Sequence, residues 1–101
     1  MPNPIFDGPP VREIQRAVAE RSGVAVTAMA GKGKIPEHVL ARQIAMYLCR
    51  ELTGKSYAQI GRLFGGRDHS TVMHGVSRVA RLMDEKPDFC AAVLELKQEL
   101  S

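Results

Sequence analysis

A dense group of hydrogen-bonding side chains follows two glycines in the stretch FGGRDHSTVMHG, residues 64–75. Asp68, His69 and Ser70 are the residue types of a hydrolytic triad, but consecutive side chains do not reach the relay geometry that such a triad requires. His69 and His74 are five residues apart, whereas two metal ligands on one helix face need a spacing of three or four. We therefore predict no catalytic residue, no metal ligand and no enzymatic activity.

The same residues stand where a helix begins. Asp68 precedes an apolar-periodic segment, where its carboxylate caps backbone N–H groups and suits the positive end of the helix dipole. The apolar positions of that segment share one face at 100° per residue and are Val72, Val76, Val79 and Met83. The outer face is polar and basic, and its members are Ser70, His74, Ser77, Arg78 and Arg81. A helix with this outer face and a hydrogen-bonding front turn is typical of DNA recognition in the major groove.

The elements that position this helix are helical as well. Apolar residues recur at helical spacing along most of the chain, and no segment alternates at period two. We therefore predict an all-α fold of about six helices without a sheet. The predicted helices lie between Val11 and Gly23, at Thr27–Ala30, between Glu37 and Gly54, from Ser56 to Phe64, from Asp68 to before Pro87, and from there to Leu100.

A short helix, a glycine turn and a longer helix are the parts of a helix-turn-helix. Ser56 and Gln59 fit a capping box at the start of the short helix. Gly65 and Gly66 end it, because glycine tolerates the positive φ of a tight turn. The predicted inward residues are Ile60, Leu63 and Phe64 on the short helix, and Leu40, Ile44, Tyr47, Leu48 and Leu52 on the long helix before it.

The length and charge distribution bound the architecture. A chain of 101 residues fits one domain with one modest core, so we predict a flexible segment at residues 1–10 and a folded domain at residues 11–101.

The net charge is +3, but residues 32–81 hold nine basic and three acidic side chains, whereas the charges of residues 82–101 sum to −3. A basic middle is expected where a polyanion docks. The acidic C-terminal helix offers a possible surface for a protein partner.

The sequence shows neither a membrane or secretory targeting pattern nor a cysteine pattern typical of metal or redox sites. No segment has the length and hydrophobicity of a membrane span, and the chain does not open with a secretory signal pattern. Cys49 and Cys90 lack the close CxxC pairing of metal or redox sites, and we interpret both as small buried thiols. We expect a cytoplasmic, nucleoid-associated protein without membrane contact.

Basic residues also lie in and after the loop GKGKIP, residues 31–36. Lys32 and Lys34 either reach phosphate or the minor groove of DNA, or are solvated loop residues. The loop lacks the GxxxxGK[ST] spacing of a phosphate loop, so we predict no nucleotide site there. Arg42 and Gln43 follow in the next helix, and we favour phosphate contacts for both over an ordinary surface role.

Residues 40–79, LARQIAMYLCRELTGKSYAQIGRLFGGRDHSTVMHGVSRV, closely resemble the C-terminal DNA-binding domain of the bacterial replication initiator DnaA. The segment GGRDHSTVMH matches the signature of that family, and ARQIAMYLCRELT matches its preceding long helix. The resemblance implies an all-helical fold related to the Trp repressor, with a helix-turn-helix. It also implies binding to short DnaA-box sites in double-stranded DNA.

The resemblance assigns roles to individual residues. It implies that Asp68, His69 and Ser70 contact base edges in the major groove, and that Lys34 reaches into the minor groove. The positions that match phosphate contacts of the family are Arg42, Gln43, Tyr57, Ala58, Thr71 and His74. Two lysines are further candidates for phosphate contacts: Lys32 because it lies in the basic loop, and Lys55 from its charge alone.

The ATPase module of that family has no counterpart in these residues, so we predict no cofactor in this chain. Three functions stay open at this point. The first is DNA binding in replication initiation or its regulation, and the second is transcriptional regulation by a small protein built on this domain. The third is a helical adaptor that binds a protein partner through the acidic C-terminal helix.

Overall fold

The computed structural model describes residues 8–101, which form six α-helices. In chain order they are α1 (Val11–Ser22), α2 (Val26–Ala30), α3 (Pro36–Thr53), α4 (Tyr57–Leu63), α5 (His69–Glu85) and α6 (Pro87–Leu100). Within that part of the chain no residue is in a strand, which confirms the predicted all-α fold. None of the six helices is long and apolar enough to cross a bilayer. Most of the predicted flexible segment, residues 1–7, lies outside the described residues.

Glycines and a capping box set the helix boundaries near the predicted ones. Gly23 and Gly54 adopt positive φ, 77° and 67°, directly after α1 and α3. At the start of α4, the Gln59 N–H donates to the Ser56 hydroxyl at 3.1 Å, and the Ser56 N–H donates to the Gln59 side chain at 2.9 Å. The predicted capping box is therefore confirmed.

The core lies around α3, which packs against all five other helices. Because neighbours surround it, its buried face is broader than the predicted stripe and includes residues that we did not predict. Ala45, Met46 and Cys49 are fully buried, whereas Ile44 and Tyr47 are half-buried. The other large, fully buried side chains are Ile14, Val18, Met29, Leu48, Ile60, Phe64, Val72, Val79 and Val93.

Helix α4 buries a narrower stripe than predicted. Ile60 and Phe64 are fully buried, but Leu63 is 47 % exposed, so the prediction that Leu63 faces inward is wrong. The short α4 packs mainly against α5, and one stripe four residues apart is enough to fill that contact. Leu63 is the last helical residue, and it lies beside the stripe rather than on it.

The turn between α4 and α5 depends on close backbone approaches that glycine permits. Gly61 lies against the Arg67 carbonyl, and Gly65 lies against the Ala30 carbonyl at the end of α2, so a Cβ at either position would collide with backbone. Gly65 and Gly66 also have positive φ, 79° and 76°, which confirms the predicted glycine turn. The turn is thereby packed onto the end of α2.

Gly65→Ala and Gly66→Ala separate the effect of φ from the effect of close approach. Both place a Cβ at positive φ, but only the Cβ at Gly65 meets backbone, whereas nothing lies within 4 Å of the one at Gly66. We expect urea unfolding to show a loss of about 1–2 kcal/mol for Gly66→Ala, and a loss at least ~1 kcal/mol larger for Gly65→Ala. Equal losses would contradict the contact with Ala30.

Candidate nucleic-acid interface

The front turn of α5 is open to solvent. The side chains of Asp68 and His69 are 67 % and 69 % exposed. Thr71 is exposed as well, and Ser70 is half-buried. Val72, one residue further on, is fully buried and anchors the helix in the core. Four polar side chains therefore form an accessible edge on a helix whose opposite face is fixed.

Asp68 combines a capping role with an available acceptor. The Ser70 N–H donates to its Oδ1 at 2.6 Å, which caps α5. The Nδ1 atom of His69 lies 3.7 Å from the same oxygen, beyond hydrogen-bonding distance. These contacts leave the imidazole nitrogens and the second carboxylate oxygen available to the donors and acceptors of another molecule.

A hollow between α3 and α5 continues from this turn along the outer face of α5. The Arg78 Nη1 donates to the Gln43 Oε1 at 2.6 Å, which fixes the arginine across the two helices. The lining residues with polar side chains are Gln43, Thr71, His74, Ser77, Arg78 and Arg81. Hydroxyl, amide, imidazole and guanidinium donors around one hollow fit a phosphate group. The helical wheel placed Arg78 and Arg81 on the outer face, but only the structure brings them next to Gln43.

Gly75 sets the distance between α3 and α5 beside this hollow. It is buried, and a Cβ there would lie 3.1 Å from the Gln43 Cγ and 3.6 Å from the Met46 sulfur. A larger residue would press on Gln43, which holds Arg78. Glycine at this position therefore supports the hollow without lining it with a side chain.

The predicted contacts at Lys55, Tyr57 and Ala58 lie elsewhere, at the turn between α3 and α4. Arg50 holds this turn, because its Nη1 donates to the Lys55 carbonyl at 2.8 Å and its guanidinium lies 4.4 Å from the centroid of the Tyr57 ring. Lys55 and Tyr57 are half-buried and Ala58 is exposed. None of the three lines the hollow between α3 and α5, so they form a separate group.

The loop between α2 and α3 carries two of the predicted contacts. Lys32 and Lys34 are both exposed. The loop is joined to the turn before α5, because the Arg67 guanidinium donates to the Gly31 carbonyl. Arg67 is a residue that our sequence reasoning missed, since a hydrogen bond between positions 36 residues apart leaves no local pattern.

Arg42 is not a surface residue, which corrects our prediction. It is only 6 % exposed, and its Nε donates to the Met29 carbonyl at 2.6 Å. Its Nη2 donates to three further carbonyls, those of Ala28 at 3.0 Å, Gly31 at 3.0 Å and Gly33 at 3.3 Å. Burial, and then the nearby Arg67, lower the pKa of Arg42. The expected exposure was wrong because this arginine satisfies backbone acceptors at the end of α2 and in the loop.

The cysteines lie outside this surface. Cys49 is buried, Cys90 is half-buried, and both are free thiols. Burial raises the pKa of Cys49 to about 12, so its thiol stays protonated and unreactive at neutral pH. Within residues 8–101, no three His, Cys, Asp or Glu side chains are grouped in a way that would hold a metal ion.

The acidic helix α6 is joined to the rest of the domain by two ion pairs. Glu95 pairs with Arg21 of α1, and the Lys97 Nζ lies 3.1 Å from Glu51 of α3. Leu94 is the large apolar side chain of α6 that is exposed, at 46 %. The protein partner that we predicted for this helix stays a prediction.

Known proteins resemble this chain over most of its length. The sequence model of the family described as "Bacterial dnaA protein helix-turn-helix" matches residues 11–79. The chromosomal replication initiator protein DnaA of Geobacter sp. (strain M21) is 41 % identical over 90 residues, which cover 89 % of this chain and 20 % of that protein. The proteins of the same name from Gluconobacter oxydans (strain 621H) and Ruegeria sp. (strain TM1040) are 43 % identical over 90 residues and 49 % identical over 72 residues. These matches cover 89 % and 71 % of this chain, and 19 % and 15 % of those proteins, so the chain spans a fifth or less of each relative's length.

Arg42→Ala tests the structural role of the buried arginine. Four carbonyl groups lose a charged donor, and because such hydrogen bonds contribute about 1.5–3 kcal/mol each and are not additive, we expect urea unfolding to show a loss of at least about 2 kcal/mol. The matched control is Arg81→Ala, at an exposed position of α5, which should change stability by less than about 0.5 kcal/mol. If the two variants unfold alike, Arg42 does not hold the loop.

Proposed function

The chain belongs to the bacterial DnaA helix-turn-helix family, and on that basis we propose that it binds double-stranded DNA sequence-specifically at DnaA-box sites. The observation that carries the proposal is the front turn of α5, where Asp68 and His69 are two-thirds exposed next to the fully buried Val72. A polar turn presented in this way suits the major groove, whose base edges offer distinct patterns of donors and acceptors.

Three consecutive residues read base edges in this proposal. Asp68 accepts from an amino group such as that of cytosine, His69 donates or accepts through its imidazole, and the Ser70 hydroxyl does both. Because the Asp68 carboxylate also caps α5, its position relative to the helix is fixed before DNA arrives. A contact that is ordered in advance loses less conformational entropy on binding.

The hollow between α3 and α5 receives the DNA backbone. Gln43, Thr71 and His74 supply polar contacts, and Arg78 and Arg81 supply positive charge. Arg78 is already held by Gln43 at 2.6 Å. A cationic side chain that neutralises a phosphate releases counterions, which favours binding to any sequence and makes the affinity salt-dependent. These contacts thus position the protein on the duplex, while the front turn selects the site.

Two further groups of residues complete the proposed interface. Lys34 enters the minor groove, where a narrow groove attracts cations, and Lys32 contacts phosphate beside it. Lys55, Tyr57 and Ala58 at the start of α4 contact phosphate, the last through its backbone N–H. The exposure of Lys32, Lys34 and Ala58 supports this part of the proposal.

Replication initiation or its regulation is the proposed process, because the relatives are named as chromosomal replication initiators. Since the chain matches a fifth or less of those proteins, the proposal covers DNA binding and site selection. A transcriptional regulator that used the same boxes would share this interface. Genome-wide mapping of bound sites separates the two, because an initiation role predicts sites at the origin and a transcriptional role predicts sites at promoters.

His69→Ala and Arg81→Ala should weaken DNA binding in different ways. We expect His69→Ala to lower the affinity for a duplex with a DnaA box by about 1–3 kcal/mol and to leave a scrambled duplex nearly unaffected, because it removes a base contact. Arg81→Ala should weaken binding to both duplexes and reduce the slope of log K against log salt by about one, because it removes a phosphate contact. Fluorescence anisotropy titrations at several salt concentrations measure both effects.

Lys86→Ala is the matched charge control. Lys86 is exposed at the junction of α5 and α6, outside the proposed interface, so its removal should leave the salt slope and both affinities nearly unchanged. The division of roles fails if His69→Ala weakens both duplexes equally, or if Lys86→Ala lowers the slope as much as Arg81→Ala does.

A further inference from the structure

Two arginines meet at one carbonyl oxygen. Arg42 from α3 and Arg67 from the turn before α5 both donate to the Gly31 carbonyl, Arg42 at 3.0 Å. Arg67 also donates to the carbonyl of Phe64, directly after α4. Gly31 begins the loop that carries Lys34. The arginine pair, Arg42 and Arg67, therefore joins that loop to the turn that leads into α5.

The side chains of the loop do little to hold it in place. Residues 32–35 are all exposed, including the apolar Ile35 at 50 %. The anchoring comes from the backbone instead, since Arg42 binds the carbonyls of Gly31 and Gly33. Fixing the backbone of one residue costs about 1–2 kcal/mol of conformational entropy, which other interactions must offset. Since the loop side chains are exposed, the hydrogen bonds from the arginine pair are the interactions that offset this cost and hold the loop in position.

A steric contact acts at the same place. Gly65 in the turn before α5 lies against the Ala30 carbonyl, one residue before Gly31, and Gly61 lies against the carbonyl of Arg67. There is no room for a Cβ at either approach. The start of the loop, the turn and the entrance of α5 are therefore in direct contact, so a displacement of the loop would press on the turn.

The arginine pair places two like charges together. The ion pairs between arginine or lysine and a carboxylate among residues 8–101 are Arg21 with Glu95 and Lys97 with Glu51, so none of them neutralises Arg42 or Arg67. Burial lowers the pKa of both arginines. The two guanidinium charges are therefore stabilised by the dipoles of backbone carbonyl groups rather than by carboxylates. A guanidinium has five donors in a rigid fork and serves several carbonyls at once, whereas an ammonium is a compact point charge.

We propose that Arg67 is a positioning residue that, together with Arg42, fixes the distance between Lys34 in the loop and His69 at the front of α5, so that both DNA grooves are contacted at once. This inference rests on the proposed DNA binding and explains part of its selectivity. A duplex that binds both Lys34 and His69 gains affinity because the fixed distance lets both contacts form together. A duplex bound through its phosphates alone gains nothing from this fixed distance.

Arg67→Lys tests the positioning role, because lysine retains the charge but loses the fork that serves the Phe64 and Gly31 carbonyls together. We expect binding to a box duplex to weaken about tenfold, and binding to a scrambled duplex to change less than about twofold. Arg62→Lys, at an exposed position of α4, is the matched control and should leave both affinities unchanged. Thermal melts followed by circular dichroism establish that each variant is folded at the assay temperature.

A double-mutant cycle gives a readout that a merely structural role would not move. In the wild-type background, Lys34→Ala and His69→Ala should be coupled, so that the double variant loses less affinity for the box than the two single losses multiplied. In the Arg67→Lys background, the two losses should multiply. The cycle compares folded proteins only, so a general loss of stability does not abolish the coupling.

Arg67→Gln is a second variant, with N–H donors but no charge, and it should lose the coupling as well. If the wild-type chain prefers the box while both Arg67 variants keep the preference and the coupling, the positioning role is overturned and the proposed DNA binding stands. If the wild-type chain binds box and scrambled duplexes equally, the proposed function fails and the positioning role falls with it.

Discussion

The unpaired carbonyl groups at the end of α2 are the constraint from which the surrounding arrangement follows. The last carbonyls of any helix have no partner within that helix, and α2 is only five residues long, with Gly31 after it in an extended conformation rather than a left-handed cap. Arg42 supplies donors to the Ala28 and Met29 carbonyls of α2, and both Arg42 and Arg67 donate to the carbonyl of Gly31, directly after the helix. Satisfying these acceptors brings α3, the loop after α2 and the entrance of α5 to one place.

Local signals in the sequence were sufficient for most of the fold. The capping box at Ser56, the positive φ of Gly65 and the valine seam of α5 each depend on residues within a few positions of one another, and the structure has all three. The errors at the two arginines share a different cause. Arg42 was predicted to contact phosphate because its charge and its position after the basic loop agree, but its actual partners are carbonyls 9 to 14 positions away. The contact of Arg67 with Gly31 spans 36 positions, beyond any periodic pattern.

The basic residues fall into two groups: those that hold the domain together and those that face solvent. Of the nine basic residues between positions 32 and 81, Arg42, Arg50 and Arg67 donate to backbone carbonyls inside the domain. These three arginines keep their charge, but direct contacts with a polyanion are left mainly to the remaining side chains, among them Lys32, Lys34 and Arg81. Sequence charge alone overestimates how many cations such a domain can offer to phosphate.

Gly75 has a mechanical consequence for the front turn of α5. His69 lies six residues before it, about 9 Å along the axis at about 1.5 Å per residue. Were the helix tilted by about 10° around its contact with α3, the front turn would swing by about 1.6 Å, roughly half the length of a hydrogen bond. A methyl group at Gly75 would lie 3.1 Å from the Gln43 Cγ. If it were accommodated by a tilt of α5 rather than by a shift of the Gln43 side chain, it would displace side chains nearly two turns away that it never touches.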